Sequence, residues 1–144
     1  MNHASPAPSL VILECLRACS LLQPAWDAHL QSWDGEERGD YNDIGVVADF
    51  VVGCFERGQT DALSKIFFVA EDFLHKGDET QKGLVIVGLL EGIQNISSHR
   101  PFGADVFIPY LGASTKGAWE ELNRAWQGKH SLGDIVRAKL TGKK

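Results

Sequence analysis

The chain has 144 residues, the common size of one domain and too short for two independent cores of ordinary size. Its hydrophobic fraction of 44% and charged fraction of 23% are typical of a globular protein and argue against a disordered chain. The 19 acidic and 14 basic residues give a net charge of −5. This balance argues against a nucleic acid partner, because phosphate contacts need clustered Lys and Arg.

The acidic and basic residues are unevenly distributed. Residues 1–128 carry nine basic and eighteen acidic side chains, whereas residues 129–144 carry five basic and one acidic. No apolar run approaches the roughly 18 residues of a membrane span, and no Lys or Arg precedes the first apolar segment as in a signal peptide. We expect a cytoplasmic protein without a membrane partner, with a flexible lead over residues 1–8, one domain over 9–141 and a basic tail over 142–144.

The first two predicted helices are short. Ser9 can cap the first, which should end before Pro24 because proline cannot continue a helix smoothly. A second helix is predicted from Ala25 to Trp33, where Asp34-Gly35 closes it. The apolar stripe of the first helix consists of Leu10, Leu13, Leu16 and Leu21.

Residues 34–43 form the densest cluster of charge in the chain. Five acids stand beside one base: Asp34, Glu36, Glu37, Asp40 and Asp43, with Arg38. Clusters of this kind are usually solvated loops, and we expect a solvent-facing loop here. The alternative use is to meet a basic surface, where complementary charge speeds the encounter and excludes wrong partners.

Three longer helices follow. Asp40 or Asn42 caps the third, which Gly58 stops, and Thr60 opens the fourth, which ends at Lys76-Gly77-Asp78. From Asp78 or Thr80 the chain enters an almost wholly apolar segment. Because this pattern covers about 17 residues, which is longer than a typical strand, we predict a helix at the centre of the bundle.

The last third combines a loop with two further predicted helices. Residues 98–112 contain two prolines and two glycines and fit neither the helical nor the strand period, which indicates a packed loop. Ser114 or Thr115 caps a helix that ends at Gly128, and Ser131 starts the last one. The sequence therefore predicts an all-α, single-domain bundle of about six to seven helices, in which helices three to five resemble stacked hairpins.

Tryptophan and cysteine spacing both favour core packing. The pairs Trp26/Trp33 and Trp119/Trp126 each lie seven residues apart, on one face of their helix; exposed pairs would instead be interface anchors. Cys15, Cys19 and Cys54 are odd in number and lack a CxxC motif, so neither disulfides nor a zinc site is indicated. We expect three free, buried thiols.

No motif of a known catalytic class is present. The chain lacks GxGxxG, a P-loop, HExxH and GxSxG, so we predict a protein that is not an enzyme, with no catalytic residue, cofactor or metal. His75 alone has acids one turn away in a predicted helix, Glu71 and Asp72, but carboxylate bundles use two such motifs on different helices. A metal-dependent helical enzyme centred on Glu71, Asp72, His75 and Glu91 is kept as an alternative.

Glu91 is the second unusual polar residue, because it interrupts the most apolar predicted helix. A buried carboxylate must be paired, hydrogen-bonded or neutralised. We therefore treat Glu91 as a candidate buried polar site. A structural bond to a helix end, or to Arg57 or Arg100, explains it equally well.

One long segment resembles a family of short, uncharacterised, all-helical bacterial proteins. A helix ending in an acidic turn and Gly-Asp is followed by a helix reading V/I-x-x-L-x-E, and the likeness covers about residues 40–125. The residues that carry it are Ile66-Phe67, Glu71-Asp72, Gly77-Asp78, Ile86, Leu89, Glu91-Gly92-Ile93-Gln94-Asn95, Leu111-Gly112 and Trp119. The family has no catalytic motif, so the resemblance implies no catalytic residue.

Proteins of this size, acidity and helical content are similar to immunity proteins encoded beside secreted polymorphic toxins. The resemblance implies a protein partner, a cognate toxin with a basic surface. The expected binding residues are the loop acids together with Glu71, Asp72, Asp78 and Glu79. The alternative is a helical scaffold or regulatory subunit that binds a housekeeping protein in a groove; the oligomeric state is not predicted.

Overall fold

The computed structural model describes residues 7–34 and 36–140, and side chains as far as residue 126. Within these residues the chain forms seven α-helices and no strand, so the predicted all-α class is confirmed. The helices are α1 (Leu10–Ala18), α2 (Gln23–Trp33), α3 (Asp40–Glu56), α4 (Thr60–Lys76), α5 (Glu79–Gly83), α6 (Glu91–Ser97) and α7 (Ala113–Leu140). Most of the predicted lead, the whole of the predicted tail and Gly35 lie outside the described residues.

The first two helices differ in their boundaries from those predicted. The Ser9 hydroxyl accepts a hydrogen bond from the Val11 N–H, as expected of a cap, but α1 already ends at Ala18 because Cys19 is extended. A 3-10 turn follows at Ser20–Leu22, and α2 begins at Gln23 with Pro24 inside its first turn. Proline is tolerated there, since the first helical N–H groups have no partner within the helix.

Helix α3 lies at the centre of the bundle. It begins after Gly39, whose N–H donates to the Asn42 side chain at 2.9 Å, and a left-handed Gly58 (φ 72°) follows its end. Positive φ costs glycine little, so the chain can turn there into α4. Helix α3 packs against α1, α2, α4 and α6, and most of its apolar side chains are buried.

The apolar segment predicted to be one helix is a continuous helical run, but its middle is wider than an α-helix. Between α5 and α6, residues Leu84–Leu90 form a π-helix. This run approaches α3 closely: a Cβ on Gly88 would collide with the Ile44 side chain, and one on Gly92 would meet Ala48 at 3.1 Å. Glycines one turn apart thus allow the two backbones to pack side by side.

The predicted loop over residues 98–112 is partly helical. Residues Ala104–Tyr110 form a 3-10 helix, and Phe107 is fully buried among aromatic rings of α3, α4 and α7. Its ring centroid lies 6.3 Å from that of Phe67 and 6.4 Å from that of Trp119. The loop therefore supplies part of the single hydrophobic core.

The two helices predicted after residue 113 are one. Helix α7 runs from Ala113 to Leu140 without a break at Gly128 or Ser131, so the prediction of an end at Gly128 is wrong. A glycine inside a helix costs only about 1 kcal/mol relative to alanine, which need not stop a long helix. None of the helices in the described ranges is long and apolar enough to span a bilayer.

Candidate functional site

The segment between α2 and α3 is anchored by a buried ion pair. The Arg38 Nε donates to Asp43 Oδ1 at 2.8 Å, and each side chain is only 3% exposed. The His29 Nε2 lies 2.9 Å from the same oxygen. The expectation that Asp43 and Arg38 face solvent is therefore wrong, because α2 and α3 enclose both of them, and Asp43 cannot contact a partner in this structure.

Aromatic side chains of α2 surround the Arg38–Asp43 ion pair. The Arg38 Cζ lies 5.5 Å from the centroid of the Trp26 ring, within the range of a cation–π contact. His29 sits between Trp26 and Trp33, with ring centroids 5.4 Å and 6.2 Å away. Trp26 is buried and Trp33 is half-buried. The first tryptophan pair therefore packs around the buried Arg38–Asp43 ion pair and does not form an exposed docking face.

Four acids remain exposed around the buried anchor. Asp34, Glu36, Glu37 and Asp40 all face solvent, and we call them the acidic surface. Asp34 ends α2 in the left-handed conformation (φ 40°), which Asp tolerates better than most residues. Because the Arg38 side chain inserts between α2 and α3, the segment that bears these acids is tied to the core at its middle.

Tyr41 extends this surface toward α5. The tyrosine is 54% exposed, and its ring lies along the π-helical run, near the positions that Cβ atoms on Gly83 and Gly88 would occupy. Glu79, one turn before Gly83, is exposed, as is Asp78, which caps α5 through the Gln81 N–H at 2.8 Å. The structure thus places the predicted acids at 78–79 at the start of α5, the helix whose last residue, Gly83, lies near the Tyr41 hydroxyl. The charge pattern did not reveal Tyr41, whose only sequence signal is an aromatic residue beside Asp40.

Glu71 does not belong to a free acidic surface. Its carboxylate accepts hydrogen bonds from the N–H groups of Ser114 and Thr115, at 2.9 and 2.8 Å, and from the Thr115 hydroxyl at 3.0 Å. It therefore caps the first turn of α7, and its side chain is only 19% exposed. The sequence predicts that Glu71 contacts a partner; in this structure its carboxylate binds the first turn of α7.

The surroundings of Glu71 set its protonation. Burial alone would raise the pKa of Glu71, but hydrogen bonds from the Thr115 and Ser114 backbone, the Thr115 hydroxyl and His75 lower it to about 2. Gly112 makes the close approach possible, since a Cβ there would lie 2.7 Å from the carboxyl group. The carboxylate is thus held in its charged form, where it complements the positive end of the α7 dipole.

His75 and Ser114 complete this cap without forming a catalytic triad. The His75 Nε2 lies 2.9 Å from Glu71 Oε2 and 3.2 Å from the Ser114 hydroxyl. A triad needs the acid on one ring nitrogen and the serine on the other, whereas here both neighbours share Nε2. Asp72 instead pairs with Lys76 at 3.0 Å on the exposed side of α4.

The candidate metal residues and Glu91 are placed differently from the sequence prediction. Among the described residues, no group of three or more His, Cys, Asp or Glu is arranged to hold a metal ion. Glu91, the candidate buried polar site, is half-buried. It lines a shallow surface pocket of about 260 Å³ with Val87, Gly92, Asn95 and Trp126. The two arginines considered for it bond elsewhere: Arg57 to Gln59, and Arg100 to Glu56.

A larger groove lies between the end of α4, the π-helical run and α7. It has a volume of about 470 Å³ and a mainly apolar lining. Its lining residues are Leu74, Lys82, Ile86, Ser114, Ala118, Glu121, Leu122 and Ala125. Sequence reasoning missed this groove, because its residues come from four separate elements: α4, α5, the π-helical run and α7.

The thiols are buried, as expected. Cys15, Cys19 and Cys54 are all free and buried within the core. Burial raises the pKa of the Cys15 thiol to about 12, with neighbouring Cys19 and Glu14 adding to the effect. Burial also raises the pKa of Cys54. None of the three is suited to act as a reactive thiolate.

Comparison with known proteins places the chain in a family without assigning a function. A family described as a domain of unknown function (DUF7674) matches residues 12–127, which is most of the chain. Its description contains no link to immunity proteins. No curated protein and no solved structure matches the chain significantly. The chain therefore belongs to the family described as a domain of unknown function, DUF7674.

Proposed function

We propose that this chain is an immunity-type protein that binds and neutralises a cognate bacterial toxin through its acidic surface. The observation that carries the proposal is the difference in burial among the charged side chains of residues 34–43. Asp34, Glu36, Glu37 and Asp40 point to solvent, while Arg38 and Asp43 form a buried pair beneath them. If these acids only kept the protein soluble, their segment would not need a buried ion pair to hold it in place.

The anchor favours binding for an energetic reason. A mobile loop loses conformational freedom when a partner orders it, and each immobilised side chain costs about 0.5–1.5 kcal/mol. Tying the segment to the core before binding reduces that cost. Fixed carboxylates also set a complementary field that accelerates encounter with a basic protein.

An aromatic side chain adjoins these acids. Tyr41 is half-exposed and continues the acidic surface toward Asp78 and Glu79. Interface hot spots are enriched in tyrosine, whereas exposed charges act mainly on association rate and specificity. We therefore assign Tyr41 the role of an interface hot spot in the proposed complex. The acids have the role of steering the partner during association.

Co-expression tests this proposal directly. The chain would be produced with the product of the adjacent gene, and both complex formation and survival of the producing cells would be measured. We expect a stable complex and protection from toxicity. Protection should be lost in the variant Tyr41→Ala combined with Glu36→Lys and Glu37→Lys, provided that its circular dichroism is unchanged. The absence of both a complex and protection would refute the immunity role.

The groove between α4, the π-helical run and α7 favours a second candidate function. In this alternative the chain is a helical scaffold or regulatory subunit whose groove holds a helix from a housekeeping partner. The groove has an apolar floor of Leu74, Ile86 and Leu122, with Lys82 and Glu121 among its lining residues. Amphipathic helices lay their apolar face into grooves of this kind.

The two functions predict different sensitive residues. Ala125→Arg would place a charged side chain in the groove without touching the acidic surface, since Ala125 is exposed in α7. If this variant abolishes binding to a partner encoded in the same operon while Glu36→Lys has no effect, the scaffold function is favoured. The reverse pattern favours the immunity function.

A further inference from the structure

The outer face of α1 and α4 exposes large apolar side chains. Phe68 is 73% exposed, the highest value among the exposed large apolar side chains of the described residues, and its neighbour Phe67 is fully buried. Leu10 and Leu13 of α1 are 49% and 42% exposed, and Leu21 in the following 3-10 turn is 53% exposed. Contiguous apolar side chains at a surface are typical of protein interfaces.

These residues lie on two helices packed side by side. Helix α1 contacts α4, and Leu10 and Glu14 line a shallow surface pocket together with Asp72 and Lys76. Phe68 stands one turn before Asp72 in α4, on the side of that helix opposite its buried residues. Leu10 and Leu13 occupy the corresponding outward side of α1. We call the surface of Leu10, Leu13 and Phe68 the apolar face.

The charges around the apolar face balance, unlike those of the whole chain. Glu14 pairs with Arg17 at 3.6 Å, and Asp72 pairs with Lys76 at 3.0 Å. The remaining charged residues in the outward row of α4 are Asp61 and Lys65, one of each sign. This face therefore has no net charge, while the chain carries −5.

We propose that the apolar face binds a second copy of this chain and forms a two-fold symmetric dimer. A two-fold symmetric interface joins the same patch on both subunits, so the charges of the patch on one subunit face the same set of charges on the other. An acidic patch would repel itself under this symmetry, because juxtaposed like charges are costly. The apolar face avoids that repulsion, and its staggered Glu14–Arg17 and Asp72–Lys76 pairs can exchange partners across the axis.

The dimer leaves the acidic surface free. The apolar face belongs to α1 and α4, whereas the acidic surface lies between α2 and α3. Each copy would thus retain its proposed partner-binding residues. The inference does not depend on the function proposed above.

Sedimentation of dilution series tests the dimer. We expect the unmodified chain to form dimers that dissociate on dilution, and Phe68→Glu to raise the dissociation constant at least about tenfold. Val87→Glu is the matched control, because Val87 is 51% exposed but lies on the π-helical run. It should leave the dissociation constant unchanged. A monomer at every concentration, or equal weakening by both variants, would overturn the proposal.

Cross-linking provides a test that does not depend on the stability of Phe68→Glu. The native thiols are all buried, so an introduced surface cysteine is the reactive one. Ser64→Cys lies one turn from Phe68, and a bifunctional thiol reagent should cross-link two copies of this variant. Ser98→Cys, which is exposed beyond the end of α6, is the control. Cross-linking of Ser64→Cys no faster than that of Ser98→Cys contradicts the dimer. A different protein bound to the apolar face of a monomeric chain also contradicts it.

Discussion

Glu71 accepts hydrogen bonds from both the backbone N–H and the hydroxyl of Thr115, at 2.8 and 3.0 Å, although the two residues are 44 positions apart. The side chain of α4 thereby caps α7. A helix start leaves its first N–H groups without partners, and Glu71 satisfies two of them, those of Ser114 and Thr115. The contact joins the middle of the chain to its last helix.

Glu71→Gln should destabilise the protein by about 1–3 kcal/mol at neutral pH, because the amide retains one acceptor but loses the charge-assisted bonds. Urea unfolding followed by circular dichroism measures this difference. Asp72→Asn is the matched control, since Asp72 is partly exposed and forms only a surface pair with Lys76. Its effect should stay below about 1 kcal/mol. Equal effects of the two variants would show that the cap contributes no more than a surface pair.

The stabilisation by Glu71 should disappear in acid. The pKa of Glu71 is about 2 in the folded protein, against an ordinary value of 4.5, so protonation favours the unfolded chain. Its contribution is complete above pH 4.5 and declines as pH falls toward 2. The stability gap between the unmodified protein and Glu71→Gln should therefore be constant near neutrality and narrow below pH 4.5. Urea titrations at several pH values measure the gap, and a gap that widens in acid would contradict this assignment.

Arg38→Ala should be among the most destabilising single substitutions. It leaves the Asp43 carboxylate buried without its guanidinium partner, and breaking such a pair costs about 3–5 kcal/mol. Thermal unfolding monitored by circular dichroism provides the measurement. Glu36→Ala, two residues away and exposed, should change stability by less than about 0.5 kcal/mol. A mild effect of Arg38→Ala would mean that the 34–40 segment is not anchored by this pair.

Two helical glycines should respond oppositely to alanine. Gly88→Ala places a methyl group against Ile44 at the contact of the π-helical run with α3, and overpacking of this kind costs about 1–3 kcal/mol. Gly45→Ala lies in α3 with no atom within 4 Å of the new methyl group, and should stabilise by about 0.4–1 kcal/mol. Denaturant midpoints of the two variants test the close helix packing. A stabilising Gly88→Ala would rule it out.

Charge reversal of the acidic surface should act on association. The combined variant Glu36→Lys, Glu37→Lys and Asp40→Lys should bind the partner more slowly, and salt should affect its association less. Surface plasmon resonance at several ionic strengths separates the two rate constants. Glu120→Lys, an exposed acid on α7, serves as the control and should leave association unchanged. An unchanged association rate constant for the combined variant would contradict binding through the acidic surface and favour the groove between α4, the π-helical run and α7.

Local patterns in the sequence predicted α3 and α4 well. Their apolar residues recur at helical spacing, and a glycine follows the C-terminal end of each of the two helices. The boundaries and buried positions such as Phe67 therefore follow from interactions within a few residues. The π-helix between α5 and α6 was not predictable in this way. Its hydrogen-bond register differs from that of an α-helix, but the apolar pattern is compatible with either.

The acids show the limit of sequence reasoning most clearly. Asp40 and Asp43 are three positions apart in one charged segment, yet Asp40 is exposed and Asp43 is buried with Arg38. Glu71 and Asp72 are adjacent, yet only Glu71 caps α7. Composition and helical periodicity determined that this protein is one acidic, all-α domain, because those features are local. Tertiary packing alone decided which acids reach solvent, since burial depends on neighbours that lie tens of residues away along the chain.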